Sequence, residues 1–74
     1  MDKTEKDKQE LRAIFSLVFE NTEPRVEATL EPNEYYVYTG VWSMTVGQLF
    51  QIASKVSLHA VSVDGYELMF TVEL

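Results

Sequence analysis

The spacing of hydrophobic residues changes several times along this chain. Leu11, Ile14, Phe15, Val18 and Phe19 recur at i, i+3, i+4, i+7 and i+8, one apolar stripe of a helix. Thr4 and Asp7 have capping-box spacing, and Pro24 disfavours helical geometry in Glu23. The pattern predicts a helix from about Lys6 to Glu20. After Pro24 the period falls to two. Arg25 to Glu31 sets Val26, Ala28 and Leu30 on one face and charged or hydroxyl side chains on the other, a half-buried strand. Pro32-Asn33-Glu34 supplies a turn. Tyr35 to Trp42 has the richest strand composition in the chain and is apolar on both faces, so alternation does not say which side points inward.

A second helical stripe follows, with Thr45 and Gln48 at capping-box spacing. Val46, Leu49, Phe50, Ala53 and Val56 form the stripe, Ile52 lies on its flank, and Gln48, Gln51 and Lys55 fall opposite. The remainder reads as a hairpin, Leu58–Val63 and Tyr66–Leu74 around an Asp64-Gly65 turn. That loop would pair Val63 with Tyr66, Val61 with Leu68 and His59 with Phe70 on the core face. The order α-β-β-α-β-β implies an α+β domain over residues 1–74, a four-stranded, mainly antiparallel sheet packed with two helices. Residues 1–5 are expected to fray. The expected core joins the first stripe to Val46, Leu49, Phe50 and Ala53 over Val26, Leu30, Val61, Val63, Leu68, Phe70 and Val72. Truncating Phe15 or Phe50 to alanine should then cost roughly 3–5 kcal/mol.

Composition narrows the function more than it defines it. A chain of 74 residues buries only roughly 60% of its unfolded surface, so one marginal core is all it can build. Without cysteine there is no disulfide and no thiolate metal site. With no staple available, self-association is expected, through Ala13 and Leu17 on the first helix or through the second strand. No apolar run reaches the roughly 20 residues of a membrane span, and the charged start is unlike a signal peptide, which predicts a cytoplasmic protein. Twelve acids against six bases give −6, the wrong sign for binding phosphates directly.

Catalytic patterns are absent from the sequence. His59 is the only histidine and reads as a strand residue packing beside Phe70. Ser57 or Ser62 with His59 and Glu67 makes a triad on paper, but no nucleophile-elbow motif surrounds either serine. Glu27 and Glu31 on an extended strand would stand about 13 Å apart, too far for paired-carboxylate chemistry. The glycines are scattered and form no phosphate cradle. The expectation is a protein that is not an enzyme and uses no cofactor or metal.

Two features remain. Tyr35, Tyr36, Tyr38 and Trp42 concentrate aromatic surface in one segment, and tyrosine and tryptophan favour interface centres. Glu20, Glu23, Glu27, Glu31 and Glu34 are offset only by Arg25. At period two, Tyr36, Tyr38, Gly40 and Trp42 share a face, with Gly40 leaving a gap between rings. The expected partner-binding site is therefore Tyr36, Tyr38 and Trp42 as anchors with Glu27, Glu31 and Glu34 as an acidic rim. The expected function is a non-enzymatic interaction module for a partner protein with a basic surface. The alternative is an acidic inhibitor of phage or plasmid type that imitates nucleic acid. A second copy of the chain is a further expected partner.

Overall fold

A computed structural model describes residues 2–74. The elements run α1 (Lys3–Val18), β1 (Arg25–Ala28), β2 (Glu34–Tyr38), α2 (Val46–Ala53), β3 (Ser57–Asp64) and β4 (Glu67–Glu73). The four strands form one sheet in the order β1-β2-β4-β3, every neighbouring pair antiparallel. This is the α-β-β-α-β-β domain that the periodicity predicts. No helix among the described residues is long and apolar enough to cross a membrane.

Both helices pack on one face of the sheet. α1 turns Leu11, Phe15 and Val18 inward, and Phe19 follows them at the C-cap. Phe15 meets Phe70 edge-on at 5.1 Å between ring centroids, and Phe19 lies 5.8 Å from Phe70. The sheet supplies Val26, Tyr35, Val37, Leu68, Phe70 and Val72. α1 begins earlier than expected because Asp2 is the better cap: its Oδ1 accepts the Glu5 N–H at 2.9 Å. Residues 3–5 are thus helical, residue 1 of the segment expected to fray lies outside the described residues, and no Thr4–Asp7 capping box forms. Asp7 is instead buried against the sheet, where it accepts the Tyr35 hydroxyl at 2.7 Å and the Lys3 ammonium at 2.7 Å. Lys3 reaches on to Asn33 Oδ1, whose backbone (φ 64) turns β1 into β2. The helix ends at Val18, before a left-handed Asn21 (φ 67).

Three expectations about the core need correction. The first is Leu30, which is fully exposed: β1 stops at Ala28, where the Thr29 hydroxyl bonds Glu34 Oε1 and accepts the Glu31 N–H. The second is the face α2 buries. The capping box is complete, with Thr45 Oγ1 accepting from Gln48 N and Gln48 Oε1 accepting from Thr45 N. The same Gln48 amide donates to the Val18 carbonyl at 3.2 Å, so one polar side chain satisfies an end of each helix. That draws Gln48 into the helix–helix seam and rotates the stripe. Ile52 and Val56 become buried and Leu49 half-buried, while Val46 is 68% and Phe50 67% exposed, and Ala53 is exposed too.

The third is the hairpin register. Asp64 pairs with Glu67, leaving Gly65-Tyr66 as the two-residue loop. Gly65 takes φ +67 at the first loop position, where a type II′ turn calls for glycine. Val63 therefore pairs with Leu68 and Val61 with Phe70, each partner lying further along β4 than expected but on the same face; Val63, expected in the core, is exposed at the sheet edge. An irregularity between Leu58 and Ala60 then moves His59 off the core face altogether.

Phe15→Ala should cost roughly 3–5 kcal/mol, whereas Phe50→Ala in dilute solution should change stability by less than about 1 kcal/mol. Urea denaturation of the two variants measures both. A second outcome concerns pH. The Lys3 ammonium, and after it the Tyr35 hydroxyl, hold Asp7 below its ordinary 3.8. A carboxylate depressed in the folded state adds stability that is complete above its unfolded value and lost as pH falls toward the folded one. Burial, and then the Asp7 hydrogen bond, hold Tyr35 above 10.0, so its contribution is complete below that value and lost as pH rises beyond it. Between about pH 4 and pH 2, Asp7→Asn should therefore lose stability less steeply than the wild type. Equal slopes would contradict the assignment.

Candidate functional site

Two helices cover only one face of the four strands, and the other face is open. On it stand Tyr36 and Tyr38 of β2, Met69 and Thr71 of β4, all half-buried, with Ala60 and Ser62 of β3 alongside. The register places Tyr38 beside Met69 and Arg25, and Tyr36 beside Thr71 and Glu27. Tyr35, Val37 and Thr39, the alternate residues, point into the core and are buried. Rings and a thioether thus occupy the centre of the exposed face, where a solvated sheet face ordinarily carries polar residues.

Charges surround that centre, and most are paired. At one end the Arg25 guanidinium lies 4.8 Å from the Tyr38 ring centroid and donates to Glu67 Oε2 at 3.0 Å. Glu67 Oε1 also accepts the Gly40 N–H at 3.0 Å, which fixes the carboxylate. Burial, and then the Glu27 and Asp64 carboxylates, hold the Tyr38 phenol above its usual 10.0, so the ring stays neutral with its hydroxyl free to donate. At the other end His59 sits between two carboxylates, Nδ1 3.0 Å from Glu34 Oε2 and Nε2 3.1 Å from Glu73 Oε1. The ring thereby bridges β2 and β4 at this end of the face. Among the described residues neither Ser57 nor Ser62 is hydrogen-bonded to His59, so the triad written on paper from them does not assemble.

Of the six residues expected at a partner site, Tyr36, Tyr38, Glu27 and Glu34 come together on this face. Glu31 does not: it lies in the β1–β2 turn beyond the end of β1. Trp42 does not either. Gly40 adopts φ +78, and Leu68 bonds across it, accepting from Thr39 N and donating to the Val41 carbonyl. The bulge breaks the two-residue period, so Gly40 is no gap between rings but the point at which β2 changes course. Trp42, 76% exposed, instead lines a separate apolar cleft of about 420 Å³ with Val63, Gly65 and Tyr66 beside the β3–β4 turn.

Met69, Thr71, Arg25 and His59 belong to the open face and were not anticipated as part of a site there. Arg25, Thr71 and Met69 follow from strand parity once β2 is known to lie between β1 and β4. His59 depends on the irregularity between Leu58 and Ala60, which no sequence period announces. Comparison of the chain with protein families, with curated proteins and with solved structures gives no match.

Proposed function

We propose that this protein is a non-enzymatic interaction domain that binds a partner protein through the open face of its sheet. The observation that carries the reading is the composition of that face: Tyr36, Tyr38 and Met69 at the centre, charged side chains at the margin. Specific protein interfaces have this anatomy, an aromatic core that supplies most of the affinity inside a polar rim that excludes water. Tyr38 already holds one guanidinium against its ring, a contact that an arginine of a partner would repeat on Tyr36. Glu27 and Asp64, which form no ion pair among the described residues, add the negative potential that steers a basic surface toward the rings.

Imitation of nucleic acid is the weaker reading. A phosphate mimic needs a row of free carboxylates, yet Glu67 is tied to Arg25, and Glu34 and Glu73 to His59. The partner reading also assumes a cytoplasmic setting.

Tyr36→Thr with Tyr38→Thr keeps two strand-favouring residues on an exposed face, so the double variant should melt within a few degrees of the wild type. Its affinity for the partner recovered on the immobilised wild-type protein should fall at least tenfold. Wild-type binding should weaken only modestly from low to high salt. Undiminished binding by the double variant would refute the site, and a loss of about a thousandfold or more with salt would favour mimicry.

A further inference from the structure

The sheet has two edges of unlike character. β1 is four residues long and bears Arg25 and Glu27, and short length and charge are ordinary protections of an edge. β3 runs eight residues, Ser57–Asp64, the longest strand in the molecule. Its far side pairs with no strand among the described residues, because β3 closes the strand order. From Leu58 to Val63 it has no proline, lysine, arginine, aspartate or glutamate, and its only irregularity is the one at His59.

We infer that this edge is a homodimer interface: β3 pairs antiparallel with β3 of a second copy across a two-fold axis, and the two α2 helices pack side by side over the joined sheet. The spacing of the layers supports this directly. α1 lies against β1, α2 lies against β3, and the helices touch, so each helix spans about two strands. Two strand spacings are about 9.6 Å, within the roughly 8–10 Å at which helices pack. Joining two sheets at β3 sets α2 and its copy at that same separation, and the helix layer continues without a gap.

The flank that α2 would present is already apolar and uncovered. Gln48 faces α1. At about 100° per residue, Val46 and Phe50 each stand about 160° around the helix from Gln48, on the side away from α1. They are the two most exposed large residues of the helix, and Val46–Ala53 contains no charge. On the strand, pairing centred on Val61 sets that valine against its copy and Ala60 against Ser62 of the other chain. Val63 stays on the helix-covered face, where its 64% exposure would be reduced. Two chains of charge −6 repel, and this surface lets them meet without confronting carboxylates. A contact about 27 Å long and two layers deep covers on the order of 500 Å² per copy, the size of a modest, concentration-dependent dimer. The open face carrying Tyr36 and Tyr38 stays free on both copies, so this inference stands apart from the partner reading.

Sedimentation equilibrium from micromolar to millimolar concentration tests it. The wild type should pass from 8.5 kDa to twice that mass, and added salt should tighten the dimer by screening the like charges. Phe50→Lys and Val63→Lys, both at exposed positions, should weaken dimerisation at least tenfold with an unchanged circular dichroism spectrum. Leu17→Lys, on the exposed side of α1, and the double tyrosine variant should leave it intact. A monomer at every concentration would overturn the inference. So would a dimer that survives Phe50→Lys and Val63→Lys, or one that Leu17→Lys dissolves.

Discussion

The single polar side chain of Gln48 determines how the helix layer sits on the sheet. Its amide oxygen and nitrogen cap the start of α2 and the end of α1 together, and this fixes the rotation of α2 about its own axis. From that rotation follow the burial of Ile52 and Val56, the half-burial of Leu49, and the exposure of Val46 and Phe50. A helix turned to bury Phe50 would leave the Val18 carbonyl without this donor, at a cost of about 1–3 kcal/mol if it stayed buried. The amide bonds at both helix termini and the complete burial of Ile52 favour the observed rotation together.

Polar networks hold the two ends of the sheet much as Gln48 holds the helices. At one end Lys3, Asp7, Tyr35 and Asn33 join the start of α1 to the β1–β2 turn, and the Leu74 N–H donates to the Asn33 carbonyl. The first turn of α1 and Leu74 are thereby tied to one turn, in a domain with no disulfide to limit fraying. At the other end Arg25, Glu67 and the Gly40 N–H join β1, β4 and the bulge that follows β2. The core between them is small, an aromatic cluster of Phe15, Phe19 and Phe70 walled by valines, so order at its margins contributes proportionately more.

Element order was legible because helical and two-residue periods differ sharply and proline, asparagine and glycine punctuate them. The outward-facing pair Tyr36 and Tyr38 was legible too, since strand parity alone separates them from Tyr35 and Val37. Positions that depend on a single backbone angle were not. Gly40 is a strand glycine by composition, and only its positive φ reveals the bulge that sends Trp42 elsewhere. Asp64-Gly65 and Gly65-Tyr66 are both acceptable hairpin loops, and choosing between them shifts the pairing by one residue on each strand. Gln48 misled for a different reason: polar residues are assigned to solvent by default, and a residue recruited to cap a neighbouring helix breaks that rule without local warning.

β2 divides its tyrosines, Tyr35 into the core against Asp7 and Tyr36 with Tyr38 onto an uncovered sheet face. Tyrosine nitration of the folded protein, mapped by mass spectrometry, reads that division residue by residue. Tyr36, Tyr38 and the fully exposed Tyr66 should be modified while Tyr35 resists until the protein unfolds. Nitration of Tyr35 as fast as the others in the native state, or protection of Tyr36 and Tyr38, would contradict the account.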